Sequence, residues 1–295
     1  MTTEDRNPKS YRLDLMSTSE ILRLINDEDR LVPERVRCAL PEMEKAVEIF
    51  VSGFRGGGRI IYVGAGTSAR LAVADAAELT PTYGLPQERF VTIIAGGQQA
   101  VFRANESGED DESGSVRRLE EIGLGVSDVV VGLTASGQTP FVVSGIAYAN
   151  RLGAATVLVT CNESNLECNV KIVVPTGPEV VTGSTRMKAA TAQRMVLTML
   201  STTMAVRLGL VYDNLMVALT GKNAKCALRA QRIVEAITGE DSDTCRKVLE
   251  RTDGNARLAV LTVYTGDRYK SEDLLVRSAG SLRAALREIG APVKI

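Results

Sequence analysis

The stretch "RIIYVGAGTSARLAVADAAEL", residues 59–79, decides the fold that the sequence predicts. Residues 59–65 form a continuous apolar run, which is typical of a strand buried on both faces of a parallel sheet. A helical pattern follows directly after the turn that contains Gly64 and Gly66. This order of strand, glycine turn and helix predicts the start of a doubly wound α/β sheet.

The same alternation continues along the chain and sets the predicted domain organisation. Further strand-like runs, some followed by helical patterns, occupy residues 90–97, 128–153, 155–162 and 170–176. They predict a mainly parallel sheet with helices on both faces. Helical patterns come before this region, including a Ser-x-x-Glu capping box at Ser17 and Glu20, and others follow it. We therefore predict an N-terminal helical segment over 1–50, an α/β domain over 51–222 and a small helical C-terminal module over 223–295.

Composition excludes several classes of function. Basic and acidic residues nearly balance, at 35 and 36, no Lys/Arg block occurs, and aromatic residues make up 4%. These numbers disfavour a nucleic-acid partner. The chain has no run of 18 apolar residues and begins without a signal-like apolar core, so we expect a cytoplasmic protein with no membrane partner.

The chain contains no histidine, and its five cysteines are scattered without a CxxC pair. A Ser–His or Cys–His hydrolase is therefore excluded, and acid–base chemistry must use other groups such as carboxylates. The cysteine pattern fits neither a disulfide framework nor a zinc site. We expect no metal and no cofactor.

Two strand-to-helix turns, at residues 63–70 and 133–140, are rich in glycine and hydroxyl groups. A helix N-terminus offers unpaired N–H groups and a positive dipole end to an anion. In open α/β sheets, ligands bind at the carboxyl ends of the strands. The two turns together predict a site for a small phosphorylated metabolite, with donors at Gly66, Thr67, Ser68, Ser136, Gly137, Gln138 and Thr139.

Both turns have simpler interpretations. Hydroxyl groups at helix starts are often plain caps, which is as good an explanation for either turn taken alone. A dinucleotide-binding turn also fits the first motif, but the next strand ends in "IAGG" and lacks the acidic residue that would bind a ribose.

The segment "ANESGEDDESG", residues 104–114, raises a similar choice between chemistry and solvation. Acidic stretches rich in Ser and Gly are commonly solvated loops or helix starts. The residues alone favour solvation.

Several motifs together resemble those of the N-acetylmuramic acid 6-phosphate etherases of the sugar-isomerase (SIS) fold. The resemblance runs from about residue 17 to the end and rests on "EILRLINDEDRLVPERV", "GAGTSARL", "DAAELTPTYG", "IAGG", "GEDD", "ASGQTP" and "GPEVVTGSTRMKAATAQ". It implies an SIS-type domain that cleaves the lactyl ether of a phosphorylated amino sugar without a metal or nucleotide. It also implies a homodimer whose sites use both subunits.

The resemblance assigns roles to individual residues. Glu78 takes the position of the family's acid, and Glu109 that of its base, while Glu179 is expected to line the sugar site. The neighbouring carboxylates of Glu106, Asp110, Asp111 and Glu112 are expected to be solvated bystanders.

Departures from the family pattern occur at Ala69, in "AELTP", at Gln138 and at Ala218. The loss of an Arg at position 138 bears most directly on anion binding.

Three alternatives remain at this stage. A non-catalytic sugar-phosphate sensor of the glucokinase-regulatory type would share the fold, but those proteins are longer and carry two such domains. An amino-sugar-phosphate isomerase would use the same carboxylates. A transcription regulator is disfavoured because no basic helix-turn-helix module precedes the sheet.

Overall fold

The computed structural model describes residues 1–105, 107–219 and 224–292, and it confirms the predicted α/β class. Within these residues one parallel sheet has five strands in the order β2-β1-β3-β4-β5. The strands are β1 (Ile60–Gly64), β2 (Phe90–Ile94), β3 (Val129–Thr134), β4 (Ala155–Thr160) and β5 (Val170–Val173).

Helices account for most of the remaining described chain. They are α1 (Thr18–Asp29), α2 (Val32–Cys38), α3 (Leu40–Arg55), α4 (Gly66–Tyr83), α5 (Glu112–Glu121), α6 (Pro140–Leu152), α7 (Lys188–Arg207), α8 (Ala224–Thr238), α9 (Ser242–Arg251), α10 (Ala256–Thr265), α11 (Arg268–Arg277) and α12 (Leu282–Glu288). In the part of the chain that the structure describes, none of them is long and apolar enough to cross a membrane.

The order of the strands creates a switch point between β1 and β3. From β1 the chain crosses to β2 on one side, and it then passes over β1 to form β3 on the other side. Gly64 pairs with Leu133, so the two strands end at the same level. The turns that follow them therefore start side by side at one edge of the sheet, where ligands bind in open α/β folds.

The buried strands explain why the apolar runs of the sequence become this sheet. All residues of β1 and β3 are buried. On one face of the sheet, Ile61 and Val130 pack in a cluster with Leu119 of α5 and Ile146 of α6. Gly58 lies just before β1, where the backbone passes close to Ser127. Only glycine fits at this position, because a Cβ there would lie 1.8 Å from the carbonyl oxygen of Ser127.

The chain divides into two compact units. The first comprises Met1–Ala76 and Gln87–Ser201, and the second comprises Ala77–Pro86 and Thr202–Ile295. The second unit has its own apolar core, built in part by Ile233, Val248 and Leu261. The domain boundaries at 50 and 222 stay predictions, and residue 222 lies outside the described residues.

Local signals place the helix ends. Ser17 caps α1 as predicted: its side chain accepts the N–H of Glu20, and the Glu20 carboxylate accepts the N–H of Ser17. In the sequence a helical pattern runs from Ser184 to about residue 210, but helix α7 begins four residues later, at Lys188. The reason is that the Glu179 carboxylate accepts the N–H groups of Lys188 and Ala189, at 3.0 and 2.9 Å, and so fixes the first turn.

A buried ion pair ties the N-terminal residues and α1 to the start of α7. The Nζ of Lys188 lies 2.5 Å from Oε2 of Glu28, and the two side chains are only 3% and 5% exposed. Glu28 also accepts hydrogen bonds from Asn7 and Lys9, at 2.9 and 2.8 Å. Burial raises the pKa of Glu28, but the hydrogen bonds from Lys188, Lys9 and Asn7 outweigh it, and the pKa falls to about 2.

This low pKa predicts an acid-sensitive contribution to stability. Because the folded-state pKa lies below the ordinary value of 4.5, the contribution is complete above about pH 4.5 and is lost as the pH falls toward 2. The full effect is on the order of 2 to 3 kcal/mol in the free energy of unfolding. Urea denaturation between pH 6 and pH 3 measures the larger part of it.

A Glu28→Gln/Lys188→Met double variant is the matched control, since a single change would leave one buried charge unpaired. The wild-type protein should lose more stability on acidification than the double variant. Equal losses in the two proteins would contradict the assignment to this pair.

Candidate active site

A cavity of about 390 Å³ lies at the carboxyl ends of β1 and β3, within the first unit. Its walls come from both strand-to-helix turns, from the acidic segment, from the N-terminal residues and from the loop before α7. The lining residues are Glu4, Ala65, Gly66, Thr67, Ser68, Arg70, Glu109, Leu133, Thr134, Ala135, Ser136, Thr139, Ser184, Thr185 and Arg186.

The first turn leaves its donors available. Gly66 has a φ of +51°, in the left-handed region that favours glycine, and it is the first residue of α4. The hydroxyl groups of Thr67 and Ser68 make no hydrogen bond with the described part of the chain. The first N–H groups of a helix also lack partners within the helix. This turn is therefore suited to bind an anion such as a phosphate group.

The second turn is organised by a buried hydroxyl. Thr134, which is 2% exposed, places its Oγ1 2.8 Å from Oγ1 of Thr139 and 3.2 Å from Oγ of Ser136. The same oxygen accepts the N–H of Gly137 at 3.2 Å. Thr139 does not cap α6 with its side chain, which removes the simple capping explanation for this hydroxyl.

The N–H groups at the start of α6 are already used. Pro140 has none, Phe141 donates to the carbonyl of Glu109 at 3.0 Å, and Val142 donates to the carbonyl of Thr139 at 2.9 Å. The second turn therefore offers side-chain hydroxyls to a ligand, while the first turn offers both hydroxyls and backbone N–H groups.

Glu109 stands between these turns. It is half-buried, and its backbone carbonyl is held by Phe141. A Cβ added to Gly66 would lie 3.2 Å from Oε1 of Glu109, so the carboxylate packs against the first residue of α4. The structure thus places a carboxylate at the same edge of the sheet as the two hydroxyl-rich turns.

The other carboxylates of the acidic segment have different environments. Asp111 caps α5 by accepting the N–H of Ser113 at 3.2 Å, and it pairs with Arg117 at 2.9 Å. Asp110 and Glu112 are exposed. Glu106 lies outside the described residues.

Four predicted site residues do not line the cavity. Gly137 and Gln138 belong to the second turn, but the Gln138 side chain is exposed. Glu179 is fully buried, and burial raises its pKa against the effect of the N–H groups of Ala189 and Lys188. Glu78 is exposed on α4, in the part of this helix that belongs to the second unit. Their roles in binding or catalysis stay predictions.

Sequence reasoning missed two walls of the cavity. The first contains Glu4, whose position is fixed by the buried neighbour Thr3. The N–H of Thr3 donates to the side-chain oxygen of Asn162 at 3.1 Å, and the side-chain amide of Asn162 donates to the hydroxyl of Thr3 at 2.8 Å. Asn162 also donates to the carbonyl of Ala135 in the second turn, at 3.0 Å.

The second missed wall is formed by Ser184, Thr185 and Arg186, just before α7. Two adjacent hydroxyls ahead of a helix were the available signal, as in the two turns that were predicted. No strand directly precedes these residues, so they do not belong to a strand-to-helix turn of the kind that indicated the other two walls.

Comparison with known proteins shows similarity to curated N-acetylmuramic acid 6-phosphate etherases over nearly the whole chain. The relative from Clostridium botulinum (strain Langeland) is 44% identical over 293 residues, which are 98% of this chain and 97% of the relative. The relative from Mesorhizobium japonicum is 43% identical over 98% of this chain and 95% of its own length. That from Brucella anthropi is 44% identical over 97% and 94%.

A family model and solved structures give more distant similarities. The model of the glucokinase regulatory protein N-terminal SIS domain matches residues 42–150. A phosphoheptose isomerase from Francisella tularensis has a TM-score of 0.51 and 16% identity, covering 65% of this chain and all of its own. A protein from E. coli CFT073 has a TM-score of 0.50 and 16% identity, with coverages of 68% and 97%. At such identities the similarity concerns the fold alone.

The arrangement of Thr134 leads to a test of the second turn. We expect Thr134→Val to weaken binding of inorganic phosphate by roughly 3- to 10-fold, because Ser136 and Thr139 lose the hydroxyl that orients them. Isothermal titration calorimetry measures this change.

Thr156→Val is the matched control, since Thr156 is a fully buried threonine of β4 whose hydroxyl bonds Asn150 and Asn169 rather than the cavity. It should lose stability and keep its phosphate affinity. Equal phosphate affinities in the two variants would contradict the organising role of Thr134.

Proposed function

Because the chain belongs to the N-acetylmuramic acid 6-phosphate etherase family, we propose that it cleaves the lactyl ether of N-acetylmuramic acid 6-phosphate. The products are N-acetylglucosamine 6-phosphate and D-lactate. The observation that carries this proposal is the cavity in which two hydroxyl-rich turns meet with Glu109 between them, in a chain 44% identical to a curated etherase over 98% of its length. This reaction serves the recycling or breakdown of cell-wall amino sugars.

The phosphate group is assigned to the turn at the start of α4. Gly66, Thr67 and Ser68 supply backbone N–H groups and hydroxyls there, and Ser136 and Thr139 add hydroxyls from the second turn. Donors of this kind hold a dianion without a metal ion. Gly137 and Gln138 belong to the same turn as Ser136, and their contribution is part of the proposal.

Glu109 is assigned the role of base. In the ring-opened sugar the aldehyde at C1 acidifies the proton on C2, which the ionised Glu109 removes. The resulting enolate expels the lactyl oxygen from C3, and that oxygen takes a proton from an acid. Water then adds to C3 of the unsaturated aldehyde, and C2 is reprotonated. The scheme needs one ionised carboxylate, one protonated carboxylate and water.

Glu78 is assigned the role of acid, as the family pattern implies. The family resemblance also implies a homodimer, in which the exposed Glu78 of one protomer would serve the cavity of the other. Glu179 would then act indirectly, because its carboxylate holds the start of α7 beside the lining residues Ser184, Thr185 and Arg186.

The proposed location is the cytoplasm. A sugar 6-phosphate carries a charge that disfavours passage through a bilayer, so an enzyme that consumes it works in the compartment where it is formed.

A second candidate is supported by the match of residues 42–150 to a glucokinase-regulatory SIS domain. On this alternative the cavity binds a sugar phosphate as a signal and performs no chemistry. An isomerase acting on an amino-sugar phosphate would instead exchange the C2 proton without releasing lactate.

Catalysis is tested by incubating the protein with N-acetylmuramic acid 6-phosphate in D₂O and following lactate release and C2 deuteration by NMR. Glu109→Gln should lower both by about 10²- to 10⁴-fold, because the base is lost. Glu78→Gln should slow lactate release while C2 exchange stays measurable.

Asp110→Asn is the control, since it removes the exposed carboxylate next to Glu109. It should keep wild-type rates. Equal loss of C2 exchange in the Glu109 and Glu78 variants would contradict the division of roles. Tight binding by the wild-type protein without deuteration or lactate would favour the sensor.

The shared site is tested by mixing the Glu109→Gln and Glu78→Gln variants. If Glu109 and Glu78 of one site come from different protomers, random reassortment restores about a quarter of the wild-type sites. If both come from one protomer, no intact site forms. The activity of the mixture after subunit exchange, compared with each variant alone, measures the difference.

A further inference from the structure

The side chain of Arg186 gives the cavity a positive charge that the proposed reaction scheme leaves unused. Arg186 is exposed and lines the cavity, and it makes no hydrogen bond or ion pair with the described residues. Arg70, the other arginine of the lining, is committed: its guanidinium donates to the carbonyls of Ala100 and Val101, at 2.8 and 3.0 Å. Among the described residues that line the cavity, Arg186 is thus the cationic side chain that is available to a ligand.

The backbone that carries Arg186 is firmly anchored. Two residues further on, Lys188 forms the buried ion pair with Glu28, and its N–H group is held by Glu179. On the other side, the N–H of Ser184 donates to the carbonyl of Val181 at 3.0 Å. A guanidinium on such a base loses little additional backbone freedom when it binds a ligand.

The substrate of the proposed reaction carries two anions. The 6-phosphate is matched by the donors of the turn at the start of α4, as described above. The lactyl group on C3 carries a carboxylate, and this second charge requires a partner if it leaves water. A guanidinium binds a carboxylate through two parallel hydrogen bonds, which gives both affinity and orientation.

We infer that Arg186 binds the lactyl carboxylate. This contact makes the enzyme prefer N-acetylmuramic acid 6-phosphate to N-acetylglucosamine 6-phosphate, which lacks the lactyl group. The inference rests on the proposed function. It places the leaving group beside the loop that precedes α7 and the phosphate beside the start of α4.

Glu4 makes the assignment more specific. Its carboxylate accepts a hydrogen bond from the hydroxyl of Thr3 at 3.0 Å and lies against Gly183, where an added Cβ would be 3.9 Å from Oε2. No ion pair joins Glu4 to Arg186 among the described residues. Glu4 repels an anion and accepts hydrogen bonds from hydroxyl or amide groups, so the lactyl carboxylate is assigned to the Arg186 side of this region.

The test compares two ligands that differ only in the lactyl group. Dissociation constants for N-acetylmuramic acid 6-phosphate and N-acetylglucosamine 6-phosphate are measured by calorimetry, in a Glu109→Gln background that prevents turnover. Adding Arg186→Gln should weaken binding of the lactyl ligand roughly 10- to 100-fold, the worth of a charge-assisted pair. Binding of N-acetylglucosamine 6-phosphate should change by less than about 2-fold, because its phosphate contacts remain.

Two further variants separate charge from geometry. Arg186→Lys keeps the charge without the planar fork and should recover part of the preference. Arg103→Gln removes an exposed cation that does not line the cavity, and should leave both affinities unchanged.

Equal weakening of both ligands by Arg186→Gln would show that Arg186 contacts the phosphate or the sugar, and would overturn the inference. Unchanged binding of both ligands would overturn it as well. Failure of the wild-type protein to release lactate would contradict the proposed function, whereas the binding comparison concerns Arg186 alone.

Discussion

Parallel pairing of β1 with β3 is the constraint on which the rest of the site depends. The pairing of Gly64 with Leu133 makes the two strands end at one level, and the chain enters α4 and α6 from neighbouring positions. Because β1 continues to β2 on one side and β3 continues to β4 on the other, the two connections diverge from this edge. The hydroxyl-rich turns and Glu109 can therefore face one cavity, although the turns are about seventy residues apart in the sequence.

The two turns present their hydrogen-bond donors to the cavity in different ways. At the start of α4, the left-handed Gly66 and the first N–H groups of the helix present backbone donors. At the start of α6, proline and internal hydrogen bonds remove the backbone donors, and the buried Thr134 positions two hydroxyls instead. Similar sequence composition thus produces one turn with available backbone N–H groups and one turn that presents only side-chain hydroxyls.

A buried polar network builds the remaining walls. The Glu28–Lys188 pair joins α1 to α7, Asn7 connects Glu28 to the carbonyl of Pro178, and Asn162 connects Thr3 to the second turn. Removing two charges from water is costly unless both are paired, so loss of either partner of the Glu28–Lys188 pair would destabilise this part of the structure. This network places Glu4 and Arg186 at the cavity, whose other charged lining residues, Arg70 and Glu109, lie near the carboxyl ends of the strands.

The fold class could be predicted from sequence, because it depends on local patterns. The two hydroxyl-rich turns and Glu109 could be singled out in the same way, from local patterns and from motifs that resemble those of a known family, and all three line one cavity. Apolar runs followed by glycine turns determine strands and helix starts through short-range sterics and burial. Three features could not be predicted in this way: the later start of α7, the hydrogen bonds that Thr134 makes within the second turn, and the cavity walls that contain Glu4 and Arg186. They depend on hydrogen bonds between residues as far apart as Thr3 and Asn162, and only tertiary packing decides which of many possible polar partners meet.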